Sequence, residues 1–253
     1  MAASSEPVTA CFIIIGNEIL SGRTRDANLP YLAEWLNRLG IQLREARVVP
    51  DLESAIIEAV NESRARFDYV FTSGGIGPTH DDITSASVAK AFGTELELNA
   101  EAHAVLATHY AEGELNEARL GMARIPKGAT LIDNPISKAP GFQIENVFVL
   151  AGIPVIFEAM LESLRHRLVG GDPVLSRTIG ATLPEGVLAE PLAELQRAYP
   201  QVDMGSYPFY RAGRFGLSIV LRATDKVALD GAAEELKAVM RGLDAEPWEG
   251  EAT

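Results

Sequence analysis

Two adjacent aspartates, Asp81 and Asp82, stand at the end of a glycine-rich stretch, SGGIGPTHDD, which we call the glycine loop (residues 73–82). An apolar run, YVF, precedes the loop, and a helical pattern follows it. Gly74, Gly75 and Gly77 permit positive φ angles and close backbone approach, so several N–H groups can point at one anion. The dipole of the following helix adds a preference for negative charge. The stretch therefore predicts an anion-binding loop.

The two aspartates contradict that chemistry if the loop binds phosphate alone, because a carboxylate repels phosphate. One interpretation is that they cap the following helix, a role that Asp fills well and that local chemistry alone favours. The other is that they hold a divalent cation, which lets carboxylate and phosphate share a site. The two are compatible, since Asp81 can cap the helix while Asp82 faces the ligand.

Other candidate residues lie in loops that follow predicted strands, where open α/β sheets bind ligands. The loop GNEILSG follows the first strand and contains Glu18, which is either a ligand-facing carboxylate or a solvated side chain. The loop LAGIP follows the last strand of the larger domain. Lys138, in NPISKAPGF, either supplies a cation for a diphosphate or is simply exposed. His80 could act as an acid or base, but no Ser or Cys stands beside it as a nucleophile.

Strand and helix patterns alternate over the first two thirds of the chain. This alternation predicts βαβ units and hence an α/β fold, a three-layer α/β/α sandwich around a mostly parallel sheet, over residues 8–170. Within it, Asp51 is expected to cap the helix that follows it. The pattern changes at GGDPVLS, and residues 175–244 predict a small βαββα (α+β) domain. The acidic tail, residues 245–253, is expected to be disordered.

Composition narrows the classes of partner. The 253 residues carry 35 acidic and 22 basic side chains, a formal net charge of −13. This charge opposes binding to nucleic acid or to anionic membranes. The single cysteine, Cys11, excludes an internal disulfide and suits a cytoplasmic location, and its apolar neighbours suggest a buried thiol. A small phosphate-bearing ligand would need locally favourable groups, because the overall field does not attract it.

Several motifs occur in the order and spacing of one known family: GNEILSG with a following D.N, TSGGIGPTHDDIT, NEARLGMARIPKGATLIDNP, APGF and AGIP. Over residues 10–170 the chain resembles the molybdopterin-binding (MoaB/Mog-like) domain family. The resemblance is to the branch found at the N-terminus of competence/damage-inducible protein A and fused to eukaryotic FAD synthases. The segment after residue 175, with the marker GSYP, resembles the smaller domain of that branch.

The resemblance implies a pocket at the strand ends for a phosphorylated pterin, such as molybdopterin, or for an ADP-containing compound. It also implies homo-oligomers, and in this branch a metal-dependent (Mg²⁺, Mn²⁺ or Co²⁺) pyrophosphatase acting on ADP-ribose or FAD. Asp82 matches the family's functional aspartate; in the enzyme hypothesis it is a metal ligand or base, and Asp81 is a second ligand. The ligand-binding set carried over by position, with the neighbouring candidates, is Gly16, Glu18, Ser73, Gly74, Gly75, Gly77, Thr79, Thr84, Lys138, Gly152 and Pro154.

The chain also departs from the family pattern. Ala86 stands where the family often has Glu, Ala151 replaces a proline, and Lys138 replaces a threonine. The missing carboxylate at Ala86 weakens the expectation of catalysis more than the expectation of binding. A non-catalytic molybdopterin- or nucleotide-binding module is therefore the main alternative, and transfer of an adenylyl group to molybdopterin is a third.

Overall fold

The computed structural model describes residues 7–111, 114–211 and 213–250. The chain divides into two compact units, residues 1–171 and 172–253. Each unit contains buried hydrophobic clusters of its own. Among the helices of the described residues, none has both the length and the apolar character that crossing a membrane requires.

The first unit is built on a six-stranded sheet with the order β2-β1-β3-β8-β7-β6. Its parallel strands are β1 (Val8–Ile15), β2 (Ile41–Val49), β3 (Tyr69–Ser73) and β8 (Val147–Leu150). Two antiparallel strands, β6 (Thr130–Ile132) and β7 (Gly141–Ile144), complete the sheet next to β8. The predicted mostly parallel sheet is confirmed. Strand β7 was not predicted, because its four residues lack the long apolar run of a buried strand.

Helices cover both faces of this sheet, as the three-layer prediction requires. They are α1 (Asn17–Leu20), α2 (Asn28–Arg38), α3 (Glu53–Arg64), α4 (Thr84–Ala91), α5 (Ala100–Ala107), α6 (Glu117–Gly121) and α7 (Pro154–Leu164), and a 3₁₀ turn at Arg165–Arg167 follows α7. A separate antiparallel pair is formed by β4 (Leu96–Leu98) and β5 (Arg124–Pro126).

Alternate residues of β1 serve the two sides of the sheet, as the two-residue period of a strand dictates. Phe12 and Ile14 belong to the cluster that includes residues of α2 and α7. Cys11, Ile13 and Ile15 belong to the cluster that includes residues of α3, α4 and α5. Cys11 is fully buried, and this burial raises the pKa of its thiol, which confirms the prediction of a packed thiol rather than a nucleophile.

The predicted cap of α3 is wrong. The residue at the N-cap of this helix is Leu52, and no side chain caps it. The carboxylate of Asp51 instead accepts a hydrogen bond of 2.8 Å from the backbone N–H of Asn17. Asp51 therefore joins the segment after β2 to the start of α1, a contact between neighbouring strand ends that helix-capping rules do not anticipate.

The second unit contains β9 (Leu175–Ala181), α8 (Glu185–Ala198), β10 (Asp203–Arg211), β11 (Arg214–Ala223), α9 (Lys226–Gly242) and β12 (Trp248–Glu249). Its strands form an antiparallel sheet with the order β10-β11-β9-β12. The order of elements from β9 to α9 is the predicted βαββα order. Apolar residues of α8, α9 and the sheet form one buried cluster.

The prediction that residues 245–253 are disordered is wrong for residues 245–250. Ala245 is buried, and Trp248 and Glu249 pair with β9 as a short edge strand. The ring of Trp248 lies over Gly180, where an added Cβ would come within 2.4 Å of it. The prediction followed the acidic composition of the tail and did not consider that Trp248 anchors it to β9. Residues 251–253 lie outside the described residues.

Candidate functional site

Connecting segments of the first unit meet at one edge of the sheet, which we call the carboxyl edge. Strands β1, β2, β3 and β8 are parallel, so all four end there. Strand β7 runs antiparallel to β8 with Phe142 opposite Val149, so the β6–β7 connection lies at the same edge. The segments are residues 16–27, 50–52, 74–83, 133–140 and 151–153. Their chain positions place Glu18, the glycine loop, Lys138 and Gly152 at this common edge.

Glycine is required at two successive positions of the loop. Gly74 and Gly75 have φ angles of 104° and 69°, in the left-handed region. A Cβ at Gly74 would lie 2.2 Å from the carbonyl oxygen of Ile15, and one at Gly75 would lie 2.1 Å from Oγ1 of Thr84. Thr84 fixes the loop to the start of α4, because its hydroxyl donates to the Gly74 oxygen at 3.0 Å and its N–H donates to the Gly75 oxygen at 3.0 Å.

Free backbone donors follow these glycines. The N–H of Gly74 donates to the oxygen of Leu150, but the N–H groups of Gly75, Ile76 and Gly77 donate to no acceptor among the described residues. Consecutive N–H groups of this kind, in a segment with positive φ angles, form an anion-binding concavity. The structure therefore leaves these three donors available, and the anion-binding role of the loop stays a prediction.

Asn28 fastens α2 to the carboxyl edge. Its side-chain Nδ2 donates to the Gly152 oxygen at 2.8 Å and to the Ser73 hydroxyl at 3.3 Å. Asn28 is 3 % exposed, and its Oδ1 has no donor among the described residues. Asp26 accepts from the N–H of Leu29 at 2.7 Å and thereby holds the first turn of this helix. Asp26 and Asn28, the two residues of the D.N motif, therefore hold the start of α2 against the backbone of Gly152.

Both aspartates of the glycine loop approach Thr79. The Thr79 hydroxyl oxygen lies 2.5 Å from Oδ1 of Asp81 and 2.6 Å from Oδ2 of Asp82, and the Thr79 N–H donates to Oδ2 of Asp82 at 2.7 Å. A hydroxyl carries one proton and cannot donate to both carboxylates at once. The Thr79 hydroxyl is the main cause that holds the pKa of the exposed Asp81 carboxyl below its ordinary value. Three oxygen atoms therefore converge at one point on the loop.

The interpretation that these aspartates cap the helix is wrong. Helix α4 begins at Thr84, its N-cap residue is Ile83, and no side chain caps it. The carboxylates turn back toward Thr79 instead, and Oδ2 of Asp82 also occupies the space beside Gly77, where an added Cβ would lie 2.7 Å from it. Asp81 and Asp82 consequently shape the loop itself.

The loop that contains Lys138 is built around Asn134, which is 2 % exposed. The Asn134 amide donates to Oγ of Ser137 and to the oxygen of Ala139, and its oxygen accepts from the N–H groups of Ile136 and Ser137. Lys138 is half-buried and has a φ of 60°, which is unusual for a residue with a side chain. This backbone strain is held in place by the buried asparagine.

Glu18 lies near the start of residues 16–27, and Pro154 directly follows residues 151–153. The exposed Glu18 carboxylate folds over Gly16, within 2.5 Å of the position that a Cβ of Gly16 would occupy. Pro154 begins α7, where its fixed φ and missing N–H suit the first helical turn. Gly152 packs directly on the glycine loop, since its added Cβ would lie 3.3 Å from Cα of Gly74.

A cavity of about 270 Å³ adjoins the glycine loop. Its lining includes the predicted site residues Gly77, Thr79 and Asp82, and also Ala86. Residues that the sequence did not single out complete the wall: Leu96, Glu117, Ala118, Gly121 and Arg124. Four of these residues lie in the quoted motif NEARLGMARIP, but no site role was predicted for them, because β4, α6 and β5 come together only through tertiary packing.

The described residues contain no group of three or more His, Cys, Asp and Glu side chains that could hold a metal ion. The oxygen donors that are gathered are those of Thr79, Asp81 and Asp82. Carboxylates with substrate phosphates are the ligands by which Mg²⁺ is usually bound, so this donor set fits a cation that arrives with a phosphate ligand. His80 is 99 % exposed and stands 4.0 Å from Asp81, where nothing fixes its ring for proton transfer.

The fold is that of an α/β protein with a mostly parallel sheet, and comparison with known proteins assigns its family. Residues 11–170 match the model of the probable molybdopterin binding domain, and residues 173–245 match that of the FAD synthase middle domain. The chain therefore belongs to the molybdopterin-binding domain family, in its CinA-like branch.

Individual relatives span different parts of the chain. A protein of Pyrobaculum calidifontis is 37 % identical over 211 residues, which cover 79 % of this chain and 80 % of that protein. A probable FAD synthase of Caenorhabditis elegans is 29 % identical over 273 residues, covering 95 % of this chain and 52 % of its own length. Among solved structures, the crystal structure of CinA, a protein of unknown function from Thermoplasma acidophilum, matches with a TM-score of 0.61 and a sequence identity of 35 %. The match covers 64 % of this chain and 99 % of the CinA chain.

Proposed function

We propose that the first unit binds a phosphorylated pterin or an ADP-containing nucleotide by its phosphates and, with a divalent cation (Mg²⁺, Mn²⁺ or Co²⁺), hydrolyses a pyrophosphate such as ADP-ribose or FAD. One observation carries the proposal: the glycine loop holds free N–H groups at residues 75–77 and two carboxylates that converge on Thr79. The match to the FAD synthase middle domain and the similarity to a probable FAD synthase support a nucleotide-related role.

The phosphates would lie on the backbone of the glycine loop. The N–H groups of Gly75, Ile76 and Gly77 can donate to phosphate oxygens without breaking any hydrogen bond of the described residues. The positive end of the α4 dipole reinforces them, because this helix starts immediately after the loop. The Lys138 ammonium would add a fixed positive charge from the β6–β7 connection. The ligand is thus held by local groups, although the net charge of the chain is −13.

Asp81 and Asp82 would hold the divalent cation. When bound, such a cation polarises phosphate oxygens and lowers the pKa of a water molecule. Oδ2 of Asp82 is occupied by Thr79, whereas its Oδ1 receives no hydrogen bond from the described residues and can accept a proton from the attacking water. Oxygen of that water bonds to one phosphorus, the bridging P–O bond breaks, and its electron pair leaves with the other phosphate. Lys138 would stabilise the charge that develops on the leaving phosphate.

The second candidate function is a domain that binds the ligand without hydrolysing it. The small number of carboxylates gathered at the glycine loop, Asp81 and Asp82, favours this candidate. No third carboxylate joins Asp81 and Asp82 in a cluster of the described residues. Ala86, on the first turn of α4, offers only a methyl group to the cavity beside Asp82. If both carboxylates serve as cation ligands, the loop can bind a cation–diphosphate complex and still lack a further carboxylate to accept the proton of the attacking water.

Hydrolysis is tested by incubating the purified chain with ADP-ribose or FAD and each of the three cations, and measuring AMP by chromatography. We expect AMP release from the wild type and at least a hundredfold loss in Asp82→Asn, because removal of a catalytic group of this kind typically costs 10²–10⁴-fold. Asp203→Asn, the same change at an exposed position of β10, should leave the rate unchanged. Full activity in Asp82→Asn would refute the role of this residue. No AMP from the wild type, with calorimetric binding of ADP, would select the binding module.

Self-association is also proposed, since the family resemblance implies homo-oligomers. Light scattering coupled to size-exclusion chromatography measures it directly. A mass above the 27.2 kDa of one chain is expected. A mass of one chain over the whole accessible concentration range would contradict the proposal.

A further inference from the structure

Lys138 has a left-handed backbone outside the positions where such a backbone is common. Among the described residues, three that carry a side chain have positive φ angles: Lys138 (60°), Glu145 (49°) and Asp244 (56°). Glu145 lies in the two-residue turn between β7 and β8, and Asp244 follows the C-cap of α9, and left-handed residues are ordinary in both places. Lys138 lies in the longer β6–β7 connection, where glycine would adopt the same angle without strain. Backbone strain of this kind concentrates at functional sites.

The side chain of Asn134 holds the residues on both sides of Lys138. Its Nδ2 donates to Oγ of Ser137 at 2.7 Å and to the Ala139 oxygen at 2.8 Å, and its Oδ1 accepts from the N–H of Ser137 at 3.1 Å. The N–H of Lys138 itself donates to the backbone oxygen of Asn134 at 3.1 Å. Because Asn134 is 2 % exposed, water does not compete for these bonds, which are stronger in a buried environment. The direction in which the Lys138 side chain leaves the backbone is therefore fixed.

The ammonium group of Lys138 is not used to hold the fold together. Every ion pair described within the first unit is made by another cation. Lys138 is half-buried, so its charge remains accessible from the carboxyl edge. A lysine that only adds surface charge needs no fixed backbone, whereas a lysine that binds a ligand benefits from freedom that is lost before binding. The buried asparagine and the strained backbone together favour a ligand contact.

The register of the sheet gives the separation between the glycine loop and the segment of Lys138. Thr72 of β3 pairs with Val149 of β8, and Val149 pairs with Phe142 of β7, so these three residues form one row. Two strand spacings put Phe142 about 10 Å from Thr72. The glycine loop continues the chain after β3, and Lys138 precedes β7, both at the carboxyl edge. The four-carbon stem of lysine crosses part of this distance, and a second phosphate attached to the first crosses another part.

We propose that Asn134 is a positioning residue for Lys138, and that Lys138 binds the second phosphate of a ligand whose first phosphate lies on the glycine loop. This role of Lys138 rests on the proposed function and narrows its ligands to compounds with two or more linked phosphates. The first phosphate is held by the free N–H groups of residues 75–77. The second receives a charge-assisted hydrogen bond from Lys138, which is roughly twice as strong as a neutral one. A ligand with a single phosphate makes no contact with Lys138.

The test compares ADP and AMP, which share the ring and one phosphate, by calorimetry in the presence of Mg²⁺. Lys138→Met removes the charge and keeps an unbranched stem, so we expect at least tenfold weaker binding of ADP, about 1.4 kcal/mol, and unchanged binding of AMP. Asn134→Ala should cause the same selective loss. Lys138→Arg retains a phosphate-binding cation and should restore the binding of ADP. Lys127→Met, the same change at an exposed residue that precedes β6, should alter neither affinity.

A double-variant cycle distinguishes a positioning role of Asn134 from a merely structural one. If Asn134 acts through Lys138, Asn134→Ala should cause no further loss of ADP affinity in the Lys138→Met background. Additive losses, or equal losses of ADP and AMP affinity in Asn134→Ala, would overturn the positioning role. If Asn134→Ala does not fold, Asn134→Ser, which retains a short polar side chain, takes its place in the cycle.

The wild type separates this inference from the proposed function. Binding of AMP as tight as that of ADP would overturn the contact with a second phosphate and leave the phosphate site on the glycine loop intact. Unchanged binding of ADP in Lys138→Met would overturn it in the same way. Wild-type protein that binds neither nucleotide would refute both the proposed function and the role of Lys138.

Discussion

Gly75→Ala is the substitution that tests most directly how the glycine loop is held. Gly75 has a φ of 69°, and the added Cβ would lie 2.1 Å from Oγ1 and 3.2 Å from Cβ of Thr84. The hydroxyl that is in the way is the one that donates to the Gly74 oxygen. Relief of the clash by rotation of Thr84 therefore breaks the bond that joins the loop to α4.

The magnitude follows from three costs and one gain. A left-handed backbone costs a residue with a Cβ about 1–2 kcal/mol, and overpacking of a filled space costs about 1–3 kcal/mol. Loss of the Thr84–Gly74 hydrogen bond removes about 0.5–1.5 kcal/mol. The stiffer unfolded chain of the alanine variant returns about 0.4–1 kcal/mol. We expect a destabilisation of about 4 kcal/mol, a large fraction of the ~5–15 kcal/mol that stabilises a typical domain.

Gly93→Ala provides the matched control. Gly93 follows α4 with a φ of 64°, and a Cβ there would meet no atom within 4 Å. This variant experiences the backbone cost without the clash, so we expect about 1 kcal/mol of destabilisation. The difference between the two variants isolates the effect of Thr84.

Urea denaturation followed by tryptophan fluorescence is a suitable assay. The chain has two tryptophans, Trp35 in the first unit and Trp248 in the second. In a Trp248→Phe background the signal comes from Trp35, which is 2 % exposed among the side chains of α2 and α7. The transition then reports the unfolding of the unit that contains the glycine loop.

Equal destabilisation by Gly75→Ala and Gly93→Ala would refute this reasoning, because Thr84 would then exert no steric effect. A double-variant cycle with Thr84→Ala provides a second check. Removal of the hydroxyl should reduce the destabilisation caused by Gly75→Ala by about 1–2 kcal/mol. This is most of the overpacking cost, since the contact with Cβ of residue 84 remains. Additive effects of the two substitutions would contradict the proposed contact.

Three further predictions concern other parts of the chain. Thr79→Val removes the hydroxyl that lowers the pKa of Asp81, so we expect an NMR titration to show a higher pKa for Asp81. The stabilisation that a depressed pKa contributes is present above the unfolded-state pKa and is lost as pH falls through the folded-state pKa. The variant should therefore lose less stability on acidification than the wild type. Lys138→Gly relieves a φ of 60° and should stabilise the first unit by about 0.5–1 kcal/mol, while it weakens pyrophosphate binding in calorimetry. Trp248→Ala should destabilise the second unit by about 3 kcal/mol in differential scanning calorimetry, because it uncovers Gly180 and releases β12 from β9.

The parallel core of the sheet was predictable because each of its strands carries its own signal. The runs that became β1 and β3 are short, apolar and closed by glycine or polar residues, which is typical of strands buried on both faces. Strands β4 and β7 carry no such signal. β7 has only the residues GFQI, and its pairing with β8 is decided by a close approach in which Gly141 would place a Cβ 2.3 Å from the Val149 oxygen.

At the candidate site, the residue types were predictable and their contacts were not. The glycine loop is encoded locally, because consecutive glycines and a proline have few other uses after a buried strand. The capping interpretation of Asp81 and Asp82 failed because Thr79, two and three residues away, competes for both carboxylates. Asn134 begins the quoted stretch NPISKAPGF, but it was not singled out, because the residue types alone do not show that its side chain makes four hydrogen bonds within that loop.

In the proposed function, a cation and an anion bind together, because the pair of carboxylates lies on the same loop as the free N–H groups. At 0.15 M salt the Debye length is about 8 Å, so the net charge of −13 acts weakly at the loop, whereas Asp81 and Asp82 act at contact distance. Without a cation, these carboxylates repel the phosphate that the backbone N–H groups attract. A divalent cation bound between them would attract both the carboxylates and the phosphate. By linkage, Mg²⁺ must then raise the affinity for ADP by the same factor by which ADP raises the affinity for Mg²⁺.

Calorimetry on the wild type and on the double variant Asp81→Asn, Asp82→Asn measures this coupling. We expect Mg²⁺ to strengthen ADP binding at least tenfold in the wild type, a coupling within the usual 1–3 kcal/mol. In the double variant the repulsion and the cation ligands are both lost, so ADP should bind more tightly than to the cation-free wild type and with no dependence on Mg²⁺. Wild-type binding that is insensitive to Mg²⁺ would show that the carboxylates face away from the phosphates, and the two aspartates would then act only on the shape of the loop.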